Sequence, residues 1–116
     1  MAFYFDRIKV GDDMLNIDLI EISIDNIGGV LEIFIDPKKN LLFLNGASKS
    51  IGDDSIETLI RIIKNWNNYY GHSNTLDDEK FLINITIGGN IETIKSDGIK
   101  PDNYNEFKEW IGTLYE

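Results

Sequence analysis

The chain has no cysteine, one histidine and two prolines in 116 residues. Without cysteine there are no disulfides, no thiolate nucleophile and no cysteine-held zinc. One histidine excludes any metal centre that needs two imidazoles. Basic side chains are scarce as well: 11 Lys and Arg stand against 20 Asp and Glu, for a formal net charge of −9. A surface of that sign repels phosphate backbones and anionic lipid, so neither nucleic acid nor a membrane is an expected partner. No stretch approaches the roughly 18 consecutive apolar positions of a membrane helix. Valine and alanine are also rare, at 2 each against 20 Ile, and 12 Asn accompany them. That skew is the mark of an AT-rich bacterial or phage genome and warns against reading a role into any single Asn.

What is present suits one domain over residues 1–116, since typical domains run to roughly 100–150 residues. At 42% hydrophobic and 11% aromatic the chain can bury a core. Met1 to Val10 carry Asp6 inside an aromatic run, which is not the pattern of a signal peptide, so a cytoplasmic location is expected. No linker, low-complexity run or internal repeat divides the sequence.

The first half reads as strands. Phe3 to Val10 is aromatic and β-branched and stops at Gly11-Asp12-Asp13. Met14 to Ile24 alternates but changes phase: Leu15, Ile17 and Leu19 share one side, then Ile20, Ile22 and Ile24. A period of two cannot shift by one residue without a kink, so the pattern predicts a β-bulge near Leu19-Ile20. Val30 to Ile35 places Leu31, Ile33 and Ile35 on one side, and Leu41 to Leu44 returns after a Pro-containing turn. Asp54 and Glu57 fit a capping box, and Ile56, Leu59, Ile60, Ile63, Trp66 and Tyr70 predict a helix that runs to Gly71. Phe81 to Ile87 and Ile91 to Lys95 flank Gly88-Gly89-Asn90 as a hairpin. Asn103 as N-cap with Glu106 three residues on opens a last helix striped by Tyr104, Phe107, Ile111 and Leu114. The expected fold is therefore α+β: an antiparallel sheet of about six strands in the order ββββ-α-ββ-α, with two helices packed on one face.

The segment Ile94-Lys95-Ser96-Asp97-Gly98, followed by Pro101-Asp102-Asn103-Tyr104-Asn105-Glu106-Phe107 and Trp110-Ile111, resembles the closing hairpin and helix of a diffuse group of small, acidic, uncharacterised bacterial α+β proteins. The likeness covers about Ile56 to Leu114 and is structural: a turn, a proline before the cap and a packed aromatic. Some of the group are immunity-protein-like. The resemblance brings no catalytic residue, and it implies an inhibitor or immunity role only by analogy.

The residues themselves offer several candidate sites, each with a plainer reading. His72 beside Ser73 would suit a general base, yet no glycine-framed serine elbow accompanies it, and a solvated loop histidine is the favoured reading. Asn45-Gly46-Ala47-Ser48-Lys49-Ser50 hints at a phosphate loop, but the glycine before the lysine is missing, which leaves a surface loop entering the helix. Asp53-Asp54 suits the positive end of a helix dipole. The other acidic clusters, Asp12-Asp13 and Asp77-Asp78-Glu79, lack the alternating pattern of a calcium loop; solvated turns are the favoured reading, with partner contact as the competing one. Consecutive Tyr69 and Tyr70 cannot both face inward on a helix, so one is expected outside. Tyr4 is placed outside by strand alternation, and its strand, as a sheet edge, could pair with a second chain. Tyr is favoured in interface hot spots, so Tyr4, Tyr69 and Tyr70 join the acidic residues as candidate partner contacts. Most of the other aromatics, Phe34 and Phe43 among them, sit on apolar stripes and are core by default. No catalytic set, cofactor or metal is expected. The expected function is a non-catalytic acidic binding protein, an inhibitor or immunity-type protein that covers a basic target such as a nuclease or toxin. Two alternatives compete: a structural or regulatory homo-oligomer, and a small hydrolase or ligand-binding enzyme using His72 or an acidic pair.

Overall fold

Strand β1 (Ile17–Asn26) runs through the middle of the sheet and shows how the sequence pattern becomes structure. Ile17, Ile20, Ile22 and Ile24 are all buried, a spacing of three and then two. The odd step is a bulge: Ile17 pairs with Ile87 and Leu19 with Thr86 on the neighbouring strand, leaving Asp18 as the extra residue. The phase change in the alternation thus has its physical cause one residue before the predicted position. Asp18 is turned toward the adjoining turn, where its Oδ1 accepts from Lys38 Nζ at 2.5 Å. That bond holds its carboxyl below the ordinary range. In this computed structural model the described residues are 16–26, 28–74 and 78–116. The expected strand Phe3–Val10 lies outside them.

Beyond β1 come β2 (Gly29–Asp36), β3 (Leu41–Leu44), β4 (Ala47–Ser50), helix α1 (Asp53–Ile63), β5 (Tyr69–His72), β6 (Lys80–Ile87), β7 (Asn90–Asp97) and helix α2 (Tyr104–Thr113). The sheet order is β4-β3-β2-β1-β6-β7-β5. Every pairing is antiparallel except β5 on β7, which is parallel. The protein is α+β with two helices, as expected, but the sheet is mixed and has seven strands among the described residues.

Two strands that the sequence did not announce, β4 and β5, join the five expected ones that lie among the described residues. Asn45 (φ 48°) and Gly46 (φ 87°) form a tight turn with both central residues at positive φ, which sends the chain back as β4 instead of into a loop. Strand β5 replaces the predicted end of α1. The helix stops at Lys64, whose N–H donates to Ile60 O, and Tyr69 and Tyr70 then lie beside Lys95 and Ser96 of β7. Helix α1 also starts earlier than the capping-box pattern suggests, with Gly52 at the N-cap and Asp53 and Asp54 in the first turn. Asn103 does cap α2, but its side chain is used elsewhere: its Oδ1 accepts from Trp66 Nε1 at 2.7 Å and its Nδ2 donates to Ile62 O at 2.9 Å.

One continuous core follows from this order. Inward residues of β1, β2, β3, β6 and β7 meet Ile56, Leu59, Ile60 and Ile63 of α1 and Phe107, Trp110 and Ile111 of α2. At one end the core is aromatic. Trp66 meets Phe107 at 5.4 Å and Phe81 at 5.5 Å between centroids, and Phe81 stacks on Tyr104 at 5.6 Å. Lys49 of β4 closes the other end by donating to Leu114 O at 2.6 Å, a cation at the negative end of α2.

Candidate functional site

The structure separates the residues that the sequence grouped as partner contacts. Tyr4, Asp12, Asp13 and Asp77 lie outside the described residues. Tyr69 and Tyr70 do point opposite ways, but strand alternation, not a helix, divides them. Tyr69 is 53% exposed on the β5 edge, and its hydroxyl donates to Asp97 Oδ2 at 2.9 Å, which raises its pKa above the ordinary phenol value. Tyr70 is half-buried, sits edge-on to Trp66, and accepts from Asn67 N at 2.9 Å. His72 is exposed on β5 beside Asp97. Asp78 accepts a hydrogen bond from the Ser73 hydroxyl.

Glu79 is the most heavily engaged of these carboxylates. Its oxygens accept from Lys108 Nζ at 2.9 and 3.0 Å, from Asn26 Nδ2 at 3.1 Å and from the Tyr104 hydroxyl. The group therefore ties the end of β1 and the start of β6 to α2, and its side chain is 18% exposed. Burial opposes its charge, but the bonds from Lys108, Tyr104 and Asn26 outweigh burial and hold its pKa below the ordinary 4.5. Burial, and then the Glu79 carboxylate, push the Tyr104 hydroxyl far above its ordinary value. A depressed carboxyl pKa stabilises the fold above its unfolded value, and that stability is lost as pH falls through the folded value. Urea midpoints of the wild-type chain should therefore drop as pH falls below 4.5. In Glu79→Gln the drop should be shallower, because the titrating group is gone. Identical pH profiles for the two proteins would show that Glu79 carries no such linkage.

Among the described residues, no helix covers the sheet face opposite α1 and α2. Strand alternation puts Glu21 and Ser23 of β1, Glu32 and Phe34 of β2, and Leu82 and Asn84 of β6 on this side, where they line a shallow depression of about 250 Å³. Glu21 lies directly opposite Phe34 and Asn84, and Ser23 opposite Glu32 and Leu82. Asn84 Oδ1 accepts from Thr93 Oγ1 at 2.7 Å, which fixes the amide. Phe43 of β3 pairs with Phe34 and extends the aromatic surface toward the β4 edge. Assigning Phe34 and Phe43 to the core is thus corrected: Phe34 is half-buried and Phe43 is 36% exposed, both on the helix-free face. The signal was present, since Leu31, Ile33 and Ile35 claim the inward phase of β2 and leave Phe34 the outward one. Glu21 and Glu32 gave no signal, because a carboxylate at an outward strand position is the commonest way to solvate a sheet.

Among the described residues no group of three or more His, Asp or Glu is placed to hold a metal ion. The arrangement offers a surface: carboxylate acceptors set around aromatic rings. No family model matches the chain, and no curated protein is similar enough to count as a relative.

Proposed function

We propose that this protein is a non-catalytic acidic binder of a basic protein, acting as an inhibitor or immunity protein does. The observation that carries the reading is the helix-free sheet face, which no other described element covers and which presents carboxylates and aromatic rings together. The field of the molecule supports it. The net charge is −9, and ion pairs cannot change that sum because each takes one acid and one base, so the whole acidic excess is uncompensated. Such a field speeds encounter with a basic partner and slows encounter with an acidic one. Nucleases are basic where they hold phosphate, so a nuclease or nuclease-type toxin is a fitting target. Among the described residues no helix is long and apolar enough to cross a membrane.

Light scattering after size exclusion tests this, with the chain alone and then mixed with the product of the neighbouring gene. The expected result is a 1:1 complex that weakens as salt rises. Absence of a complex at low salt, with self-association in its place, would move the reading to a homo-oligomer.

A further inference from the structure

The proposal above names a kind of partner; resting on it, the charge pattern of the helix-free face points to the group that partner presents. Across β1 and β2 each outward carboxylate meets an uncharged residue: Glu21 opposes Phe34, Glu32 opposes Ser23 and Asp25 opposes Val30. Asp25 has a lysine, Lys80, opposite it on β6. Glu21 and Glu32 have none opposite them, and among the described residues the carboxylate of neither takes part in an ion pair or a hydrogen bond; Glu32 donates only its backbone N–H, to Asn45 Oδ1. Asp18, Asp36, Asp53, Asp78, Glu79 and Asp97 have their oxygens engaged. Other carboxylates, such as Glu57, Glu92, Glu106 and Glu109, are as unengaged as Glu21 and Glu32 among the described residues, but only Glu21 and Glu32 share a depression with an aromatic ring, Phe34, on the helix-free face.

Register then decides what fits. Glu32 lies two residues before Phe34 on β2 while Glu21 lies across from it. The two carboxylates therefore flank the ring on a cross-strand diagonal of about 7–8 Å. A guanidinium is flat, weakly hydrated and carries five donors in its plane, so it can stack on a ring while donating sideways to two carboxylates. An ammonium is compact and strongly hydrated, and gains less from the ring. A neutral or acidic partner would bury two unpaired carboxylates, which is costly. The depression of about 250 Å³ has room for such a side chain, and the Phe34–Phe43 pair supplies apolar surface for its neighbours. We propose that a basic protein docks on the helix-free face, with one of its arginines stacked on Phe34 between Glu21 and Glu32.

The test is an NMR titration of the isotope-labelled full chain with acetyl-arginine amide at low salt. The expected result is a saturable set of shifts confined to amides around Glu21, Glu32, Phe34 and Asn84, with an upfield ring-current shift of the probe's δ-methylene. Acetyl-lysine amide and the Glu21→Gln/Glu32→Gln variant should each weaken the response at least fivefold. Shifts centred on Asp78 or Asp53, or an unchanged response in the double variant, would overturn the placement. So would shielding of Phe34 and Phe43 from a soluble gadolinium chelate in the free chain. Shielding at every concentration would mean that the chain's own residues 1–15 take the face, and shielding only at high concentration that a second copy does. A failed titration beside an intact light-scattering complex overturns this placement alone; a missing complex overturns the reading beneath it.

Discussion

Trp66→Ala is expected to lower stability by about 3–5 kcal/mol, the usual cost of deleting a large buried aromatic. Trp66 is 3% exposed and touches the rings of Tyr70, Phe81, Tyr104 and Phe107. It stands just past the end of α1, and its Nε1 donates to Asn103, which in turn donates to Ile62 O near that same helix end. One side chain thus links the end of α1 to the start of α2 through Asn103. Domains of this size are stable by only about 5–15 kcal/mol, so the loss would take a large share. With a urea slope of roughly 2 kcal/mol per molar, the midpoint should fall by about 1.5–2.5 M. Trp66→Phe separates the two contributions. It keeps most ring packing but leaves Asn103 Oδ1 without its donor, and should cost about 1–3 kcal/mol. Equal midpoints for wild type and Trp66→Ala would mean that the aromatic end of the core is not what holds the helices to the sheet.

Gly98→Ala is expected to be the most damaging glycine substitution among the described residues. Gly98 follows β7 with φ +134°, a region that side chains avoid, and an added Cβ would come within 2.4 Å of Ser73 Cβ and 2.8 Å of Ser73 N. The second of these is backbone, so no rotamer change relieves it. The contact exists because the chain after β5 runs against the end of β7: Ser73 N donates to Asp97 O, and Ile99 N donates to Gly71 O. Backbone strain and overpacking together should cost roughly 2–4 kcal/mol, with β5 the first element displaced. Gly89→Ala is the control. It has φ +86° but nothing within 4 Å of the added Cβ, so it carries strain alone and should cost about 1 kcal/mol. Amide exchange of residues 69–72 should accelerate in Gly98→Ala and not in Gly89→Ala. Equal effects of the two substitutions would remove close approach as the cause.

These two positions also show where local pattern stops being informative. Gly98 was legible as part of an Asp-Gly turn; that it abuts Ser73 depends on β5 lying parallel to β7, and nothing local announces that pairing. Trp66 and Tyr70 are four residues apart, which is a helix spacing. They reach the same aromatic cluster because the chain turns after Lys64 and returns as a strand. The segment Ala47–Ser50 has no large apolar side chain and is exposed at every position, so it carries no alternation, and it is a strand only because Asn45-Gly46 folds it onto β3.

By itself the sequence determined the α+β class, the inward isoleucines of β1, β2 and β6, the presence of a bulge in β1, the apolar stripe of α2 and the uncompensated negative charge. Each is a property of a period, a turn or a count, and those act within a few residues or over the whole chain. The tertiary structure decided which acidic groups are available. Glu79 is engaged because Asn26, Tyr104 and Lys108 reach it from distant parts of the chain, whereas among the described residues the Glu21 and Glu32 carboxylates find no partner, because the strands beside them bring up a phenylalanine and a serine. A carboxylate's availability depends on its neighbours in space, and strand pairing chooses those from residues far away in sequence.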